Sequence, residues 1–151
     1  MRIVLDSHAR LPINAQLLQL PGHTLVVTGS QIPNSTRQSL CATGAELLSL
    51  PLQHQRIPLP HLMLQLAQRE LNTILIECGA TLAGAALQAG IVDELIVYLA
   101  PCLLGNQARG LVMLPGLTQL AERLSFTLVD SRPIGEDIRL TLQPNTLSAV
   151  I

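Results

Sequence analysis

Lysine is absent from this sequence: all nine basic side chains are arginine. That excludes both a P-loop lysine and a Schiff-base lysine. Aromatics are almost missing too, with Tyr98 and Phe126 standing alone and no Trp. The core must therefore be aliphatic, and the aromatic platforms that hold single-stranded nucleic acid are lacking. A formal charge of −1 removes the electrostatic drive toward a phosphate backbone. Cys41, Cys78 and Cys102 are an odd, widely spaced set with no C-x-x-C motif and no disulfide framework, which points to a reducing compartment; a cytoplasmic protein is expected. No apolar stretch approaches the roughly 20 residues of a membrane span, and the opening run Met1–Asp6 is too short for a signal peptide. His8, His23, His54 and His61 show no metal-ligand spacing.

What is present is a Leu-, Ala-, Ile- and Val-rich chain of 151 residues, a size that suits one domain. Short β-rich runs alternate with helical patterns. Strands are expected at Arg2–Asp6, Leu25–Thr28, Ala45–Leu50, Thr73–Ile76 and Glu94–Ala100. Helices are expected from an entrance at Pro33–Thr36 to about Thr43, from Pro58 to Leu71, and over Thr81–Ala89 with Gly90 as the stop. In the second of these, Leu59, Leu62, Met63, Leu66, Ala67 and Leu71 form an amphipathic stripe. Phe126–Asp130 and Ile138–Leu142 read as an antiparallel hairpin turning near Pro133-Ile134-Gly135, and the tail from Pro144 reads as frayed. The expected class is α/β: a mostly parallel sheet flanked by helices, with a C-terminal antiparallel hairpin. No linker divides the chain, so residues 1–151 are expected to form a single domain.

Strand–helix–strand units place ligand sites at the C-terminal ends of strands. Ile74–Leu87 (ILIECGATLAGAAL) is the segment to inspect. A buried strand would deliver Glu77 to its end, Gly79 and Ala80 would turn the chain, and Thr81 would cap the helix. Free N–H groups and the positive end of the helix dipole suit a phosphate or pyrophosphate. The small residues Gly79, Ala80, Ala83 and Gly84 would let that ligand reach the backbone. On spacing alone, close helix–sheet packing explains the glycines slightly better.

The stretch Gly79–Ala85 followed by Leu87–Pro101 (LQAGIVDELIVYLAP) resembles the C-terminal reductase domain of the bifunctional riboflavin-biosynthesis deaminase/reductase. Leu103-Leu104-Gly105, Ala108-Arg109-Gly110, Ile134–Leu140 and the opening Arg2–Ser7 extend the likeness over nearly the whole chain. The resemblance implies a dihydrofolate-reductase-like fold and an NADPH-dependent reduction at ribosyl C1′ of 5-amino-6-(5-phosphoribosylamino)uracil to the ribitylamino product. It implies a substrate-binding Glu77. It also implies cofactor-binding residues at Ser7 and along Gly79, Ala80, Thr81, Leu82, Ala83, Gly84 and Ala85. Cys78 departs from the smaller residue of many relatives, and its thiol is expected to be buried and inert.

In that family the reductase domain starts well before the position of Met1, and a zinc deaminase domain accompanies it. The chain is therefore expected to be an incomplete reductase domain with no deaminase, unable to complete the reaction alone. Exposed strand edges are expected to pair copies into a homodimer, through Glu94–Ala100 or the terminal hairpin. No nucleic-acid or membrane partner is expected. Arg109 could clamp a phosphate but is more ordinary as a surface arginine. Asp93 and Glu94 suit a solvated turn, Tyr98 suits a core or an interface, and Ser7-His8 lacks a nucleophile elbow. Asp130, Arg132, Asp137 and Arg139 are expected to form exposed cross-strand pairs. The competing readings are a non-catalytic remnant or oligomerisation scaffold of the same family, and a related reductase acting on another heterocycle or aldehyde.

Overall fold

The computed structural model describes residues 1–145. They form two compact units, residues 1–72 and 73 onward.

The first unit contains β1 (Arg2–Leu5), α1 (Gln16–Gln19), β2 (Thr24–Gly29), α2 (Asn34–Ala42), β3 (Glu46–Leu50) and α3 (Leu59–Ala67). Its sheet is parallel in the order β1-β2-β3. Register runs from Arg2 opposite Thr24 on one side of β2, and from Leu25 opposite Glu46 on the other. A strand flanked on both sides reads as a continuous apolar run, and Leu25, Val26, Val27 and Thr28 are all fully buried. Leu40 of α2 and Leu62 and Leu66 of α3 complete this core.

Pro60 occupies the first turn of α3, where its missing N–H is no loss. The helix was expected to reach Leu71 but ends at Ala67, because Glu70 adopts a left-handed conformation with φ of 63°. Thr43 closes α2 by donating its hydroxyl to the Leu40 carbonyl at 2.6 Å. Glu46, at the start of β3, accepts from Arg69 and lies 3.3 Å from His23 Nε2. The short helix α1 had no counterpart in the sequence pattern.

The second unit contains α4 (Ala80–Gln88), β4 (Leu95–Leu99), a 3-10 turn at Leu120–Glu122, β5 (Phe126–Ile134) and β6 (Asp137–Pro144). Its sheet is antiparallel in the order β4-β6-β5. The terminal hairpin is present as expected, turning at Gly135 with φ of 61°. The expected tail from Pro144 lies almost wholly outside the described residues.

Four expectations need correction here. Parallel pairing is confined to the first unit, since β4 pairs antiparallel with β6. Nor is β4 buried on both faces: Val97 is buried, but Ile96 and Tyr98 on the opposite face are exposed. A continuous apolar run reports neither strand direction nor what covers each face.

Thr73–Ile76 forms no ladder with either sheet. Its β-branched residues favour an extended backbone, but a strand also needs a facing line of N–H and C=O groups, and none among the described residues supplies one.

The hairpin charges do not pair across strands either. Arg132 and Arg139 face each other in register, and the ion pair is made along one strand, Asp130 to Arg132 at 3.0 Å. An irregularity between Leu128 and Asp130 shifts the facing. Among the described residues no helix is long and apolar enough to cross a membrane.

Candidate functional site

In the second unit residues 73–78, outside any helix or strand, pass directly into α4, whose N-cap is Gly79 with φ −81° and ψ 170°. The sequence placed the cap at Thr81. The helix begins earlier because Ala80 is already helical, so Thr81 lies in the first turn. No side chain caps this end. Leu82 and Ala83 both donate to the Gly79 carbonyl, at 3.1 Å each. The N–H groups of Gly79, Ala80 and Thr81 have no protein acceptor among the described residues. That is the ordinary deficit of a helix start, and it is the arrangement an anion satisfies.

The two glycines of this segment sit in opposite surroundings. A methyl group added at Gly79 would meet nothing within 4 Å, so the entrance is open. One added at Gly84 would lie 1.9 Å from the Met113 carbonyl oxygen. Gly84 is buried and serves close packing, as does the bond from Met113 N–H to the Ala80 carbonyl at 2.9 Å. The partner in that packing is the loop around Met113, whereas spacing had suggested a sheet. Ligand access along Gly79–Ala85 is therefore clear at the first turn and obstructed at Gly84.

Glu77 and Cys78 are exposed immediately before the N-cap, as are Gly79 and Thr81, while Ala80 is half-buried. Cys78 was expected to be buried; its thiol is exposed, because no strand pairing encloses this segment. Partial desolvation nonetheless pushes its pKa upward. The neutral thiol is thus favoured.

Ser7 belongs to the first unit. It follows β1, half-buried, in a turn where Ala9 N–H donates to the Asp6 carbonyl. The Asp6 carboxylate accepts from Leu11 N–H at 2.6 Å. Ser7's carbonyl accepts from Gly29 N–H at 3.0 Å, and a methyl group at Gly29 would come within 2.8 Å of that oxygen. Gly29 thus lets the ends of β1 and β2 close together, a role that the bounding glycine in the sequence only hinted at. The Ser7 hydroxyl has no partner among the described residues. Arg109 is exposed in its loop with no ion pair among them.

A cavity of about 530 Å³ also lies in the second unit, lined by Leu87, Val97, Leu114, Leu124, Phe126 and Leu142 among others. Arg123 is the one charged residue in its lining. Leu87 lies seven residues beyond Ala80, about 10 Å along α4, so this apolar space is removed from the helix start. Its lining is hydrocarbon packing between α4, the loop before β5 and the sheet.

A parallel strand–helix unit and an antiparallel sheet ending in a hairpin define an α/β chain, the class expected from the likeness to dihydrofolate-reductase-like reductase domains. Sequence comparison makes that specific: the chain belongs to the RibD C-terminal domain family, whose model matches residues 1–140. It is 41% identical over 142 residues to the riboflavin biosynthesis protein RibD of Escherichia coli (strain K12), covering 94% of this chain and 37% of that protein. A 5-amino-6-(5-phosphoribosylamino)uracil reductase of Buchnera aphidicola is 30% identical over 151 residues, covering 97% of this chain and 69% of that one. Among solved structures, Acinetobacter baumannii RibD, form 2, superposes with a TM-score of 0.82 at 36% identity, covering 95% of this chain and 37% of that chain. The chain thus spans little more than a third of the length of the RibD relatives it matches.

Proposed function

We propose that the chain acts in the NADPH-dependent reduction of 5-amino-6-(5-phosphoribosylamino)uracil to its ribitylamino form, in cytoplasmic riboflavin biosynthesis, its two units serving one reductase domain. The observation that carries this reading is the open helix start at Gly79 directly behind an exposed Glu77. NADPH, when bound, supplies hydride. The chain's own part is to hold and orient. Unpaired N–H groups at Gly79, Ala80 and Thr81 hold an anionic phosphate bridge, helped by the helix dipole. The contact then runs on along Leu82 and Ala83, ahead of the obstruction at Gly84. Glu77 accepts hydrogen bonds from substrate hydroxyl or amino groups. The working form is an assembly of copies, a dimer in the simplest case.

A scaffold without cofactor binding is the second reading, favoured by the Met113 carbonyl filling the space at Gly84. Titrating the folded chain with NADPH and with the phosphoribosylaminouracil substrate separates the two. Saturable binding of both, with substrate affinity falling at least about tenfold in Glu77→Gln, the scale of a lost charge-assisted hydrogen bond, supports the reductase reading. No saturable binding of either by the folded chain would leave the scaffold.

A further inference from the structure

The apolar cavity of the second unit has no part in the reductase reading. Leu87 of α4 and Val97 of β4 are both buried and form its floor, with Phe126 of β5 half-buried in its wall. Leu111 and Leu120 line the same space but are 65% and 79% exposed, so the cavity opens to solvent through a leucine mouth. Its volume of about 530 Å³ falls within the about 300–1,000 Å³ of small-molecule sites. Water suits it poorly. A buried water needs about two to four polar partners, and among the described lining residues only Thr118, Gln119 and Arg123 carry polar side chains.

Arg123 sets the charge of this space. Its guanidinium donates to the Leu120 carbonyl at 3.0 Å, and among the described residues no carboxylate pairs with it. The neighbouring Glu122 is engaged elsewhere: its carboxylate accepts from the N–H groups of Thr118 and Gln119 at 3.1 and 3.2 Å. A guanidinium carries five N–H donors, and the described residues occupy one of its nitrogens. An apolar chamber with a single cation in its lining is complementary to a hydrocarbon tail that ends in one anionic group.

We infer that this cavity is a binding site for a single-chain aliphatic carboxylate, its tail seated on Leu87, Val97 and Phe126 and its head paired with Arg123. A carboxylate bears the one charge that one guanidinium offsets, and its planar pair of oxygens matches the guanidinium fork. The tail supplies the apolar contacts that the lining lacks when the space is filled by water. The inference rests on the second unit alone and is independent of what binds at the start of α4.

Calorimetric titration of the full chain with decanoate, octanoate, decanol and decyltrimethylammonium tests it. Decanoate should bind saturably, and octanoate about fifteenfold more weakly, at about fourfold per buried methylene. Decyltrimethylammonium, with the same tail and the opposite charge, should bind at least about fivefold more weakly than decanoate. Arg123→Gln changes an exposed side chain, so the circular dichroism spectrum should be unchanged. It should weaken decanoate about fivefold, the upper end for a solvated ion pair, and leave decanol as in the parent. The methyl resonances of Leu87 and Val97 should shift as decanoate saturates. Absence of saturable decanoate binding by the folded chain would overturn the proposal. So would equal affinity for decanoate and decyltrimethylammonium, a folded Arg123→Gln that binds decanoate like the parent, or saturation that leaves the Leu87 and Val97 methyls unmoved.

Discussion

Gly79 and Gly84 lie five positions apart at the start of one helix, yet an added methyl group meets empty space at the first and a backbone carbonyl at 1.9 Å at the second. Gly84→Ala should therefore cost about 1–3 kcal/mol by overpacking against Met113, seen as a lower denaturation midpoint; an unchanged midpoint would mean that the loop around Met113 yields. Gly79→Ala should leave the midpoint within about 1 kcal/mol, the modest difference between these residues at an N-cap. Cys78 makes a separate test. Its pKa is raised, so less thiolate is present at any given pH below that pKa than in a free cysteine. With Cys41 and Cys102 replaced by serine, alkylation of Cys78 should be slower than that of free cysteine at neutral pH and should rise only as the medium turns alkaline. Faster reaction at neutrality would contradict this.

Elements were legible where they depend on side-chain period, and illegible where they depend on a partner. The stripe of Leu59, Leu62 and Leu66 announced α3, and Leu62 and Leu66 are fully buried. Leu62→Ala should cost about 2–5 kcal/mol in the first unit by leaving a cavity, measured as lost protection of β2 amides in hydrogen exchange. Equal protection in the variant would mean that the core collapses onto the gap. By contrast, the β-forming run at Thr73–Ile76 gave the same sequence signal as β2 and forms no ladder, because pairing belongs to two segments and the pattern of one cannot show whether the other is there. The opposition of Arg132 and Arg139 has a similar origin. Alternation counted along β5 misses the irregularity at Val129 that resets its facing. Of the candidate site, the open Gly79 follows from residue size, while the obstruction at Gly84 depends on a loop more than twenty-five residues downstream that no local pattern reveals.

Across the whole chain, two units with separate cores carry the elements of one family: a parallel three-stranded sheet in the first, and the helix start and antiparallel sheet in the second. The family assignment covers residues 1–140, and the site proposed within it is the uncapped start of α4. NADPH fluorescence titration of the parent chain and of Gly79→Leu tests that place directly. Saturable binding by the parent, weakened at least about tenfold by a side chain that fills the approach to the helix amides, with the circular dichroism spectrum unchanged, is the outcome that follows from anion capture at Gly79. Equal NADPH affinity in the two proteins, or no saturable binding by the folded parent, would contradict it.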